Sequence, residues 1–506
     1  MLSNPAVQDA LLRSLQLSAA VALASGILGC AMAWLVTRTD VPGARALRGL
    51  LSVPYALPAY LLAMAWVVLA NPAVGLLREF LPFENGIYGF WGMVFVETLV
   101  AFAFPYLELR AGFERMDPSL EEAARMSGAS PARVFRDVSF PLLWPSLFNG
   151  MGLAFLYTLS SFGVPAILGA PVRQFVLTTL IYSQIKLGGA AGIVMGLKLS
   201  LLLLAAAVFV LGISFWLSHL QRKKSGAISG AKSARPSLVG LGAARIPAAL
   251  LTWGFFAVAV LLPWIALGMS ALAPVAGNFS PSEWTLRNLK TVLSLAEFKQ
   301  ALVNSLMLAS LVATIVVSLG FFLGFFAVRR GSKRALVFIE ALGVPFATPG
   351  TLIAILIVFA STWLSIHLGD FDIDLDSPLF WMAVAYGVKY AAVGARMMLE
   401  AYRQVHPALE EAARMSGART WALLRTIWFP LLKQALVAAW LLSALPMATE
   451  LTMSVLLTGP GASTLGTVLF QLQEYADQPS AAALAWILMT AALLISLKNV
   501  WRTTDG

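Results

Sequence analysis

The sequence has 506 residues, 59% of them hydrophobic and 12% charged, with a mean hydropathy of +0.81 and a formal net charge of +10. That balance excludes a soluble globular protein, whose cores cannot hide so much apolar surface. The apolar stretches are long and continuous, which excludes a transmembrane β-barrel with its alternating strands. The surplus of Lys and Arg is what short cytoplasmic loops give a helical membrane protein, so it does not point to nucleic acid.

A spanning helix takes about 20 mostly apolar residues, and eleven stretches qualify. Five come before the middle of the chain, at roughly 10–37, 48–70, 88–112, 142–169 and 190–218. The first is too long for a secretory signal core and has no basic residue before Arg13, so it reads as a mature span. It holds the single cysteine, Cys30, which can make neither an internal disulfide nor a metal site. The stretch "QRKKSGAISGAKSARPSLVGLGAAR" then breaks the pattern with Gly, Ser, Ala, Lys and Arg, the composition of a flexible connector. Six more spans follow, at 247–272, 300–328, 335–363, 379–402, 431–457 and 481–500. The expected organisation is a first repeat over 1–220, a linker over 221–246 and a second repeat over 247–506.

Positive loops set the orientation. Arg38, Arg45 and Arg48 follow the first span, Arg222, Lys223, Lys224 and Lys232 sit in the connector, and Arg329, Arg330, Lys333 and Arg334 follow the seventh. Counting spans puts all three loops on one side, which is therefore expected to be cytoplasmic together with the C-terminus. Asp370, Asp372, Asp374 and Asp376 fall on the other side. Their alternation in an extended segment reads as a solvated loop or docking surface, because it closes no cage around a cation.

The two halves are copies. "LEEAARMSGA" occurs at Leu120–Ala129 and again at Leu409–Ala418, an offset of 289. "SVPYALPAYLLAMAW" (Ser52–Trp66) aligns with "GVPFATPGTLIAILI" (Gly343–Ile357), and "RSLQLSAAVA" (Arg13–Ala22) with "NSLMLASLVA" (Asn304–Ala313), both at 291. Five spans correspond in each half. The extra span at 247–272 resets the orientation, so the repeats run parallel. The fold class is an all-α polytopic membrane protein with about 11 transmembrane helices in two parallel pseudo-symmetric repeats.

Both decapeptides fall on the expected cytoplasmic side and begin with helix signals. Asp117 can cap and Pro118 suits the first helical position. Glu121 and Glu122 sit where the helix dipole favours negative charge. Ala123, Ala124 and Met126 keep the helix slim, and Gly128 ends or bends it and permits close backbone approach. His406, Pro407, Glu410, Glu411, Ala412, Ala413 and Gly417 repeat the pattern. A second short helix follows each copy, and Pro141 and Pro430 are expected to begin the next membrane helix. A small helix–Gly–helix presented twice suits a partner with two equivalent grooves. A plain surface connector is the competing reading, although a connector has no need of ten identical residues.

The segment resembles the EAA loop of ATP-binding cassette importer permeases: Glu-Ala-Ala, three residues, Gly, nine residues, then an aliphatic, any residue, an apolar residue and Pro. Glu122, Ala123, Ala124, Gly128, Val138, Phe140 and Pro141 match in the first copy, and Glu411, Ala412, Ala413, Gly417, Ile427, Phe429 and Pro430 in the second. The resemblance spans nearly the whole chain. It implies a type I (MetI-like) permease fold and a multi-pass protein of the bacterial inner membrane. It also implies two copies of an ABC ATPase docked on the two loops, and a periplasmic substrate-binding protein. ATP and Mg2+ would then belong to the partner ATPase. This chain has no G-x-x-x-x-G-K-[ST] phosphate loop and no paired-carboxylate, Ser–His or zinc constellation, so neither catalysis nor a cofactor is expected in it.

For cargo, "SSFGVPAILGAPVRQFVLTTLIY" (Ser160–Tyr182) and "ATELTMSVLLTGPGASTLGTVLF" (Ala448–Phe470) are similar to segments of fused ferric-iron permeases. Ser161 stands where an acidic residue is common in that group. Permeases for thiamine, polyamines and 2-aminoethylphosphonate share parts of the pattern and remain alternatives, as does an ATPase-independent secondary carrier. Ionisable residues inside spans are costly and therefore informative. Glu97, Lys198, Glu340, Lys389 and Glu450 qualify. Glu450, Lys389 and Glu97 are the candidates for a substrate pathway, and a packing role for Glu450 stays open beside it. Gly188, Gly192 and Gly196, and Gly320 with Gly324, have the spacing of close helix packing.

Overall fold

The structure, a computed structural model, describes residues 3–80, 84–222, 238–367, 377–474 and 477–504. The four outer aspartates and most of the connector lie outside these residues. The first half of the sequence forms α1 (Pro5–Arg38), α2 (Ala44–Leu50), α3 (Ala59–Ala70), α4 (Phe90–Ala101), α5 (Ala103–Arg115), α6 (Pro118–Met126), α7 (Pro131–Val134), α8 (Phe140–Leu159), α9 (Leu177–Leu187) and α10 (Gly189–Arg222). The second forms α11 (Arg245–Phe256), α12 (Leu262–Leu272), α13 (Arg287–Ser294), α14 (Ala296–Val328), α15 (Lys333–Ala341), α16 (Gly343–Ala347), α17 (Gly350–His367) and α18 (Pro378–Gln404). It ends with α19 (Pro407–Met415), α20 (Thr420–Leu423), α21 (Phe429–Ala448), α22 (Ser454–Leu457), α23 (Leu465–Glu474) and α24 (Gln478–Thr504).

Eight helices among the described residues are long and apolar enough to cross a membrane, or eleven if three sharply bent pairs each count as one span. Two of the bends are encoded by proline. Leu57 before Pro58 and Thr348 before Pro349 are extended, the conformation that a following proline favours, and the helices on either side meet at 95° and 100°. The third bent pair, Pro165–Val172 with Leu177–Lys186, is an element that apolar run length does not reveal. The expected span at 142–169 accordingly ends early, at Leu159, and the one at 431–457 likewise ends at Ala448. α18 is 27 residues long but carries Lys389, Arg396, Glu400 and Arg403, so composition alone does not count it as a span.

The chain forms two compact units. One contains Met1–Ser183, Leu201–Val292 and Leu472–Gly506; the other contains Gln184–Ser200 and Leu293–Gln471. In the first unit α1, α5 and α8 pack together, and α4 joins α1. The same unit takes in α12 and α24 from the second half of the sequence, which pack on each other. There Trp264 Nε1 donates to Thr490 Oγ1 at 2.9 Å, and a Cβ on Gly268 would meet the Trp486 ring. In the second unit α14, α18 and α21 form the matching trio around Leu308, Val312, Val316, Met382, Tyr386 and Met447. Large apolar side chains left on the outside of α14, such as Leu311, Ile315 and Phe322, suit a lipid surface.

The duplication extends to single hydrogen bonds. Ser14 Oγ on α1 accepts from Leu177 N at 2.8 Å, and Ser305 Oγ on α14 accepts from Leu465 N at 2.9 Å. Each serine thereby satisfies a free N–H at the start of a short helix, α9 in the first unit and α23 in the second. The α14–α18 contact depends on Gly320, where a Cβ would strike the Gly394 carbonyl. Gly320→Val is expected to cost about 1–3 kcal/mol through overpacking. Thermal unfolding of the detergent-purified chain, followed by size-exclusion chromatography, checks this.

Pro141 and Pro430 stand second in α8 and α21, the helices they were expected to begin, but those helices do not start afresh there. Each lies inside a continuous candidate span, Pro131–Leu159 and Thr420–Ala448, just after a π-helical turn at Phe135–Ser139 or Leu424–Trp428. A proline has no N–H to give to an i→i−4 bond, so a wide turn next to it loses little and lets the helix run on. Glu340 and Lys198 lie within candidate spans, as expected, but on the surface of the chain. Glu340 pairs with Arg396 at 3.2 Å with both side chains largely exposed, and Lys198 is exposed on α10.

Candidate functional site

The two decapeptides fold alike. Asp117 Oδ1 accepts from Ser119 N at 2.9 Å and His406 Nδ1 from Ala408 N at 3.2 Å, so each α6 or α19 begins with a side-chain cap followed by proline. Each ends at a glycine in the left-handed region, Gly128 at φ +84° and Gly417 at φ +81°. In the first copy Ala129 N donates to Ala124 O and Gly128 N to Arg125 O. The second has the same pair from Ala418 to Ala413 and from Gly417 to Arg414. These are Schellman ends, and they require the left-handed residue. Within the chain nothing approaches either glycine to within 4 Å of a Cβ position, so its role here is to stop the helix rather than admit a neighbour.

The two glutamates of each copy have opposite fates. Glu121 and Glu410 are buried, while Glu122 and Glu411 face outward. Glu121 Oε2 lies 3.1 Å from Arg38 Nε, with the two side chains only 4% and 3% exposed. Ser139 Oγ donates to Glu121 Oε1 at 2.7 Å. Arg38 Nη2 also donates to Phe113 O at 2.8 Å, and the guanidinium lies 5.3 Å from the Phe113 ring centre. The second unit repeats this with Arg329 paired to Glu410, Arg329 Nη2 donating to Tyr402 O and Val405 O, and Trp428 Nε1 donating to Glu410 Oε1 at 2.8 Å. Arg38 and Arg329 are 291 apart; Glu121 and Glu410, Phe113 and Tyr402, and Ser139 and Trp428 are each 289 apart. One arginine at the end of the long first core helix thus ties the short helix to the end of α5 or α18.

What remains outward is a small face. Met126 and Met415 are 91% and 89% exposed, flanked by Glu122 with Ala123 and by Glu411 with Ala412. Ala124 and Ala413 are half-buried against the protein. Arg38 and Arg329 were legible only as positive-loop residues, although their matching positions after equivalent spans were visible in the repeat register.

The interior charges sort differently. Glu450 lies just past the end of α21 and caps α22, taking Met453 N at 2.9 Å, Ser454 N at 3.0 Å and Ser454 Oγ at 3.0 Å. Tyr386 Oη and Ser454 Oγ are 2.6 Å apart. Lys389 lies within electrostatic reach of Glu450 and donates to Thr348 O at 3.0 Å, in the Pro349 break. Glu450 and Lys389 are therefore brought together in a satisfied network. Glu97 is fully buried on α4 in the first unit, beside Ser161. Among the described residues no three His, Cys, Asp or Glu side chains are grouped to hold a metal.

Residues 25–225 and 316–500 match the family of binding-protein-dependent transport system inner membrane components, one stretch in each half of the sequence. The chain is 26% identical to the Fe(3+)-transport system permease protein FbpB 2 of Haemophilus influenzae, over 97% of this chain and 88% of that protein. It is 24% identical to the ferric transport system permease protein FbpB of Actinobacillus pleuropneumoniae, over 97% of this chain and 71% of the relative. The molybdenum transport system permease protein ModB of Escherichia coli matches at 30% over 45% of this chain and 99% of its own length, about one repeat. With the duplicated helical fold and both halves matched, the chain belongs to the family of binding-protein-dependent transport system inner membrane components.

Proposed function

We propose that this chain is the fused permease of a ferric-iron importer, with two copies of a separate ABC ATPase docked on α6 and α19. The observation that carries the reading is the doubled outward face, Met126 and Met415 on helices clamped in the same way. Two identical faces call for two copies of one partner. ATP and Mg2+ belong to that partner, and this chain carries no catalytic group of its own. A periplasmic binding protein delivers the cargo to the opposite side, and the coupling helices and the C-terminus are cytoplasmic. Ferric iron is favoured because relatives named for it match along nearly the whole chain. The permease is the two-state element, and nucleotide and the loaded binding protein bias it toward one opening or the other.

An exposed methionine suits an apolar socket. Met126→Asp together with Met415→Asp leaves the buried clamps intact and is expected to abolish co-purification of the ATPase. Each single variant is expected to weaken binding by about tenfold or more, a loss of at least 1.4 kcal/mol. A secondary carrier would keep transporting with both aspartates in place, and that result would end the ATPase reading.

A further inference from the structure

We infer that Glu97 and Ser161 form a transit site for a metal cation inside the first unit. The inference rests on the importer reading above and sharpens it, because it makes the cargo a cation rather than an oxyanion. The clamps fix the repeat register in this region at 289 (Phe113 with Tyr402, Glu121 with Glu410), and the same offset carries Glu97 to Tyr386, Val100 to Lys389, and Ser161 to Glu450. Each half therefore holds one buried carboxylate between the same two elements, on opposite sides. The second half carries it after α21, as Glu450. The first carries it on α4, as Glu97.

The two carboxylates are treated differently. Glu450 accepts from Met453 N, Ser454 N and Ser454 Oγ and has the charge of Lys389 nearby. Its counter-charge is built into the chain. Glu97 is 0% exposed, and neither of its oxygens has a hydrogen-bond partner of acceptable geometry. Ser161 is the polar side chain beside it, and Val100 occupies the place that Lys389 fills in the other half. Thr158, one turn before Ser161, has a buried hydroxyl without a partner. A carboxylate held away from water without a positive partner is costly, and such sites in membrane proteins mark ion paths. A carboxylate beside hydroxyl oxygens is the donor set that a hard cation takes. An oxyanion would be repelled from the same place.

The test uses the full complex of this chain, its ATPase and its binding protein in proteoliposomes, with uptake of Fe3+ measured beside ATP hydrolysis. Glu97→Gln keeps shape and hydrogen-bonding capacity and removes only the charge. It is expected to lower Fe3+ uptake by about tenfold or more while hydrolysis stimulated by the loaded binding protein persists. Val100→Lys, which supplies the built-in cation of the other half, is expected to block uptake with Glu97 intact. Ser161→Ala is expected to lower it severalfold. Co-purification of the ATPase reports that each variant is folded. If Glu97→Gln and Ser161→Ala both transport within about twofold of the wild type, the carboxyl is a neutral structural group and the inference fails while the importer stands. If the unaltered complex imports molybdate and not Fe3+, both the cation site and the cargo reading fall together.

Discussion

Arg38→Met is expected to be the most damaging single substitution in the first unit, destabilising it by about 3–5 kcal/mol. The pair it breaks is nearly inaccessible, so removal of the cation leaves Glu121 buried with only Ser139 and the more distant Arg125 for support. Most of the loss is that stranded charge, because a buried ion pair contributes little net stability over well-packed apolar side chains. Arg38→Met combined with Glu121→Leu is accordingly expected to recover most of the thermal stability. It should not recover transport. The clamp is the mechanical tie between α6 and the ends of α1 and α5, made through Glu121 and the Phe113 carbonyl. With an ATPase docked on α6 as proposed, a pull there would then no longer move the bundle. The complex of the double variant with that ATPase should therefore hydrolyse ATP with many turnovers per cargo ion, and Arg329→Met with Glu410→Leu should behave alike in the second unit. Wild-type stoichiometry in either double variant would show that the clamps only hold the helices in place.

Glu450→Ala is expected to have the second largest effect, again about 3–5 kcal/mol, with fragmentation of the segment around α22. The N–H groups of Met453 and Ser454 lose their acceptor at once, while the Ser454 hydroxyl keeps the Glu450 carbonyl, and Lys389 loses its nearby negative charge. Glu450→Gln keeps one oxygen acceptor and should cost about 1–3 kcal/mol. Glu450→Gln with Lys389→Met removes both charges together and should be more stable than Glu450→Gln alone. Thermal unfolding of the wild type, Glu450→Gln, Lys389→Met and the double variant forms a double-mutant cycle whose coupling measures the pair. If Glu450→Gln transports normally once folded, Glu450 has a capping role alone and no part in the path.

The order of the spans, the duplication and the position of both decapeptides were legible because each depends on local pattern. Apolar length gives the helices, and identity at a fixed offset gives the repeats. The capping of α6 could be read from Asp117 and Pro118 for the same reason. The clamps could not, because Arg38 and Glu121 meet across 83 residues and only the fold brings them together. Of the two adjacent glutamates, helical phase about a bundle not yet seen decides which is buried. Pro141 and Pro430 carry a local signal for a helix start and do stand second in α8 and α21, but the π turn that joins each helix to α7 or α20 leaves no such signal. Glu97 was visible as a costly charge, but its contrast with Glu450 needed the side chains around both.

The membership of α24 in the first unit has a consequence for biosynthesis. Among the helices described, α24 is the last to leave the ribosome, yet it packs on α12 in the unit that contains α1. Domains are commonly completed in the order in which they are translated. Here the unit that is begun first is closed last, and until then the side of α12 that receives Trp486 and Thr490 faces the bilayer without its partner. The whole of the second unit is made before the first is finished, so a nascent chain halted before residue 478 carries the second unit entire and the first incomplete.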